Sequence, residues 1–305
     1  MTLFRRGHVR LASVAAAGLL WLMPAANAQQ SFSNPDEAAS ALVSAVKSGT
    51  KQDVLKVLGA DGEDIVDSGD EVADKAAREK FMAAYDAKHS VKVAGKKASL
   101  IIGADDFPFP IPLIRTRTGW EFDTAEGRNE ILYRRIGRNE LDAIQTILAF
   151  FDAENEYADK DRGDGVGTYA RRIVSSPDKK DGLYWPSDNH ESPLGELAAA
   201  ANAEGYKAGS GPQPYHGYYY RVLTKQGATA PGGALDYIVK DKMIGGFALV
   251  AYPAEHGNSG VMTFIVNHAG TVYQKDLGDR TESIVKTMTS FDPDKSWKKV
   301  DTGRE

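Results

Sequence analysis

The chain has 305 residues, no cysteine and a formal net charge of −5. Zero cysteines exclude a disulfide framework and thiol chemistry, and the acidic balance disfavours non-specific binding to nucleic acid or anionic lipid. The length admits one large domain or two small ones with ordinary cores.

The first 28 residues read as a cleavable export signal. Arg5, Arg6 and Arg10 form a positive region, Leu11 to Met23 an apolar run, and Pro24 breaks it before the small-x-small pattern Ala26-Asn27-Ala28. An apolar run of 13 residues is too short for a hydrocarbon core that needs roughly 20. No cysteine follows it to carry lipid. Cleavage after Ala28 removes three arginines and no acid, taking the net charge from −5 to −8. The expected product is a periplasmic protein with no membrane span after cleavage.

Residues 30–127 are expected to form an N-terminal α+β domain. Asn34, Pro35 and Glu37 are an N-cap, a first-turn proline and a capping-box partner, and Gly49 stops the helix. A short helix ends at Gly59, and a third covers Val72 to Lys88 with Ala77, Phe81, Ala84 and Tyr85 as its inner face. The stretches SVKVAG, ASLIIG and IPLIRTRTGWEFD then read as strands, the last bending near Gly119. The prolines of FPFPIP confine that stretch to an edge or to the entry of the following strand. Helices followed by an antiparallel sheet make an α+β fold, and this order resembles the cone-shaped domains of the nuclear-transport-factor-2-like superfamily.

The domain boundary is expected in DTAEGRNEILYRRIGRNE, with a C-terminal α+β domain over residues 131–300. Its long helix is NELDAIQTILAFFDAENEYADK, capped by Asn139. Next comes DKDRGDGVGTY. An EF-hand needs a third acid where Gly163 stands, a glycine where Asp164 stands, and a glutamate where Ala170 stands. Asp159, Asp161 and Asp164 remain candidates for a hard cation, but a glycine turn is the preferred reading. Further on, aromatic and β-branched runs punctuated by glycine predict antiparallel strands.

Two resemblances follow from these residues. RRIGRNELDAIQ, SPLGELAAAANAEGY, PYHGYYYRVLTKQG and MIGGFALVAYPAEHGNSGVMTF together resemble an exported bacterial family known as domain of unknown function 2950. That resemblance covers nearly all of the mature chain and implies export without a particular activity. AIQTILAFFDAENEYADKDRGDGVGTY is also similar to the soluble half of type IV pilins and pseudopilins, where an amphipathic helix runs into a glycine-rich turn. This chain departs from pilins in having its long helix internal and half polar, so the resemblance does not extend to filament assembly.

Few residues announce chemistry. His190, His216, His256 and His268 form neither H-x-x-x-H nor H-E-x-x-H. Ser259 and His256 are too close in sequence to indicate a dyad. No phosphate cradle, nucleophile elbow or cofactor motif is present, and no cofactor is expected. Tyr184, Trp185, Tyr215, Tyr218, Tyr219 and Tyr220 concentrate aromatic surface, which serves either core packing or recognition. Tyr184, Trp185, Tyr218 and Tyr220 are the candidate binding residues. Arg134, Arg135 and Arg138 read as a clamp at the domain junction in preference to an anion site. The expectation is a binding or assembly module for an envelope protein or cell-wall component, with no nucleic-acid partner. The alternative is a small-molecule hydrolase with a site in the N-terminal pocket or the interdomain cleft.

Overall fold

The computed structural model describes residues 29–186, 191–207 and 213–303. The predicted signal segment and His190 lie outside the described residues. The fold is α+β, built from two antiparallel sheets with helices around them. Helix α1 (Pro35–Ser48) is capped by Asn34, which accepts from the Glu37 amide, while Glu37 Oε2 accepts from the Ser33 amide. Gly49 ends it with a left-handed φ of 72°. Thr50 caps α2 (Lys51–Leu58); a single turn, α3 (Glu63–Val66), and α4 (Glu71–Ala87) follow. Phe81, Ala84 and Tyr85 of α4 pack on the core as expected, but Ala77 is exposed, because α4 only leans on the sheet with one end.

The first sheet runs in the order β1 (His89–Ala94), β2 (Lys97–Ile102), β4 (Leu113–Arg115), β5 (Trp120–Phe122), with the short edge β3 (Phe107–Pro108) beside β2. The segment read as one strand bending at Gly119 is instead a hairpin. Residues 116–119 turn the chain, with the Thr116 amide donating to the Gly119 carbonyl at 2.7 Å, and β4 pairs back on β5.

One helix of 35 residues, α5 (Thr124–Ala158), runs through the expected boundary region. It starts at Asp123, whose side chain accepts from the Glu126 amide, well before Asn139. Gly127 is no linker. It is buried inside the helix, where an added Cβ would stand 2.7 Å from Ile111 Cα. Ile131 of α5 packs against the N-terminal cluster, and Ala143, Ile147, Leu148 and Phe150 belong to the C-terminal one, so α5 serves the cores of both halves.

The second half contains α6 (Gly195–Glu204), β6 (Tyr218–Leu223) and two minimal ladders. These pair β7 (Lys225–Gln226) with β8 (Leu235–Asp236), and β9 (Ile238–Val239) with β10 (Lys242–Met243). The main strands β11 (Ala248–Pro253), β12 (Met262–Asn267), β13 (Tyr273–Asp276) and β14 (Lys298–Lys299) complete a sheet ordered β14-β13-β12-β11-β6. Helix α7 (Thr281–Thr287) packs on β11, and α5 crosses β11 and β12. Among the described residues, the N-terminal elements hold one main apolar cluster from Phe32 to Phe122, with Ala39, Leu100 and Ile102 as a small satellite, and the C-terminal elements hold another from Ala143 to Phe291. Among the described residues, no helix is long and apolar enough to cross a membrane.

Candidate functional site

The glycine-rich turn after α5 is held by its own side chains. Asp161 Oδ1 accepts from the Gly163 amide at 2.8 Å and the Gly165 amide at 2.9 Å, and these bonds hold its carboxyl below the usual range. Asp164 lies 4.0 Å from Lys242, whose ammonium donates to the Asp164 carbonyl. Asp159 is the residue that ends α5. Among the described residues, no group of three His, Cys, Asp or Glu is placed to hold a metal ion.

The candidate aromatics separate. Tyr218 is wholly buried and donates to the Met262 carbonyl at 2.9 Å, so it cannot meet a partner directly. The alternation of β6 turns Tyr220 to the same side, and its hydroxyl is buried without a hydrogen-bond partner. Tyr184 is half-buried and fixed through its backbone to Ile173 and Ser175. Trp185 is different: only 6% exposed, it has the Arg162 guanidinium 4.9 Å and the Lys180 ammonium 5.3 Å from its ring centre.

Arg162 also lies 5.1 Å from the Tyr157 ring centre, and the Tyr157 hydroxyl donates to the Lys180 carbonyl. The end of α5, the glycine turn and the GLYWP segment therefore converge on one indole. Three donors there are buried and unpaired: Arg162 Nε, Arg162 Nη2 and Trp185 Nε1. One helical turn back from Tyr157, the fully buried Glu154 accepts from the Ala170 amide with Oε2, while Oε1 has no partner. Burial pushes the Glu154 carboxyl well above the usual range, because charge is costly where water is excluded. Sequence reasoning found Trp185 but missed Arg162, Lys180 and Glu154. The available signal was an arginine surrounded by three aspartates in the turn.

The second convergence is the junction of the halves. Asp70 caps α4 through the Ala73 amide, and its Oδ2 accepts from the Tyr206 hydroxyl and the Gly217 amide, both at 2.8 Å. Arg135, not the Arg134–Arg138 pair, is the clamp: it donates to the Asp64 and Ile65 carbonyls and to Asn258 Oδ1. Arg134 pairs with Glu130 on its own helix. Asn139 is buried within α5 and donates to the Ser259 carbonyl. Ser259 is fully buried and bonded to Glu255, which leaves it no role as a nucleophile.

Two of the described histidines face carboxylates, while the buried His268 Nδ1 has no hydrogen-bond partner. His216 has Nδ1 3.0 Å from Asp142 and Nε2 2.6 Å from Glu204. His256 has Nε2 2.8 Å from Asp276 and Nδ1 3.3 Å from Asp279. His268 is partly buried against Tyr237 and Phe247, and that burial lowers its pKa.

A groove of about 380 Å³ lies in the N-terminal half, lined by residues including Lys51, Asp67, Glu71, Asp74 and Arg78. Burial raises the Asp74 carboxyl although it accepts from the Ser68 amide. No curated protein and no solved structure matches the chain, so neither comparison supports the likeness to pilins. A family model does match residues 29–300, nearly all that the structure describes, and the chain belongs to the family described as Protein of unknown function (DUF2950).

Proposed function

We propose that the chain is exported to the periplasm, loses residues 1–28, and acts there by binding an envelope protein or cell-wall component without turnover. The observation that supports this reading is the cluster around Trp185. Two cations stand over one indole, and three buried N–H groups have no acceptor. Unpaired buried donors cost about 1–3 kcal/mol each, and an incoming acceptor removes that cost. Aromatic and arginine side chains together also carry much of the energy in known interfaces.

The test has two parts. Cell fractionation with N-terminal sequencing is expected to find a periplasmic protein beginning at Gln29. Sedimentation with purified cell-wall sacculi and cross-linking in intact envelopes are expected to retain wild type and to lose Trp185→Ala. Retention unchanged by that substitution would remove the role of Trp185.

A second reading is favoured by one observation, the elevated Asp74 carboxyl at a groove bearing Lys51 and Arg78. It makes the N-terminal half a hydrolase with Asp74 as proton donor. Hydrolysis abolished by Asp74→Asn in a fold-intact protein would establish it over the binding reading.

A further inference from the structure

We infer that the Nε–Nη2 edge of Arg162 is a receptor for a free carboxylate, the terminal carboxylate of a peptide; this rests on the binding reading of the Trp185 cluster. The two nitrogens lie side by side on one edge of the guanidinium, and both are buried and unpaired. That edge presents two parallel N–H groups, the arrangement that takes both oxygens of a carboxylate. The surrounding turn is rich in acids, yet none satisfies it. Asp161 Oδ1 is occupied by the Gly163 and Gly165 amides, and Asp164 faces Lys242. Among the described residues, no carboxylate pairs with Arg162; the neighbouring acids Glu156 and Asp164 pair with Lys160 and Lys242.

The rest of the cluster suits the same ligand. Stacking on Tyr157 and Trp185 fixes the plane of the guanidinium, so little freedom is lost when the fork closes. Trp185 Nε1 adds a third unpaired donor. Lys180, with a side chain 55% exposed and its ammonium over the indole and 3.6 Å from the Glu191 carboxylate, is able to withdraw and admit a ligand. It then supplies a second positive charge. An ester or amide terminus lacks the second anionic oxygen and fits this donor set poorly.

The experiment is a titration of the full mature chain followed by the side-chain N–H resonances of Arg162 and Trp185 in nitrogen-15 spectra. The probes are an acetylated D,D-dipeptide, standing for the cell wall, and an acetylated L-tripeptide, standing for a protein terminus, each beside its C-terminal amide. A saturating shift of both resonances with a free acid and none with its amide is expected. Which acid binds identifies the source. Arg162→Lys keeps the charge without the fork and is expected to weaken binding by about tenfold or more; Arg162→Gln, with the fold checked by circular dichroism, serves if the lysine variant is unstable. Equal shifts with acid and amide, or undiminished binding by Arg162→Lys, overturn the inference. Should sacculus retention still depend on Trp185 in that case, the binding reading stands and only the carboxylate falls.

Discussion

Glu154 is the residue whose burial has the clearest thermodynamic consequence. Its folded pKa is raised well above 4.5 by loss of water, opposed only by the Ala170 amide. The folded state therefore holds a proton that the unfolded state releases above pH 4.5. Stability is fully present below that pH and is lost progressively as pH rises towards the folded pKa. Glu154→Gln keeps an oxygen for the Ala170 amide and removes the ionisation. Denaturant midpoints of the variant are expected to exceed wild type at neutral pH and to fall less as pH rises above 4.5. Parallel pH profiles would show that Glu154 is not the linked group. Asp70 makes a complementary case. Replacing it with Asn sets an amide N–H₂ either against the Ala73 amide or against both the Tyr206 hydroxyl and the Gly217 amide, and about 2–4 kcal/mol of stability should be lost. A cycle with Tyr206→Phe should give a coupling of about 1 kcal/mol or more; independent effects would argue against the bond as the junction's tie. Neither residue was legible from sequence. The partners of Asp70 lie 136 and 147 positions away, and no local pattern announces an acid that only tertiary packing buries.

At the scale of elements, local chemistry was a good guide where it acted locally. The Asn34 cap and the left-handed Gly49 carry their own signals. The reading failed at Gly127, which looks like a breaker but is demanded by contact with Ile111 and Pro110 across the first sheet. A pair of substitutions separates the two meanings of glycine in α5. Gly137 has nothing within 4 Å of an added Cβ, so Gly137→Ala should gain about 0.5–1 kcal/mol through helix propensity alone. Gly127→Ala makes contacts of 2.7–2.8 Å with backbone and side chain, and should lose about 1–3 kcal/mol by overpacking. Urea midpoints moving in the same direction for both would contradict this account. The candidate site shows the same division. Aromatic clustering drew attention to Trp185, but nothing in a one-dimensional pattern places Arg162 over its ring, because the contact depends on how the glycine turn doubles back.

For the whole molecule, α5 decides whether the two clusters of buried residues unfold apart or together. Its early residue Ile131 packs against the N-terminal cluster, and Ala143, Ile147, Leu148 and Phe150 pack in the C-terminal one. Breaking the helix between them would leave unpaired backbone groups at two new ends. Arg135, Asn258 and Asp70 add polar ties that bridge the halves. These couplings predict a single transition in denaturant, despite two distinct clusters. Trp120 reports from the N-terminal cluster and Trp185 from the C-terminal one. With Trp297 replaced by Phe, variants retaining only one of those two indoles should give coincident fluorescence midpoints, matching far-ultraviolet circular dichroism. Arg135→Ala leaves the Asp64 and Ile65 carbonyls and Asn258 without their donor. It should lower both midpoints together by an amount corresponding to about 1–3 kcal/mol. Limited proteolysis should first open the exposed turn around Val166, which is 70% exposed, and spare the helical stretch at Gly127. Early cleavage between residues 124 and 131, accompanied by separate midpoints for the two tryptophans, would mean that α5 is not continuous in solution and that the halves are independent.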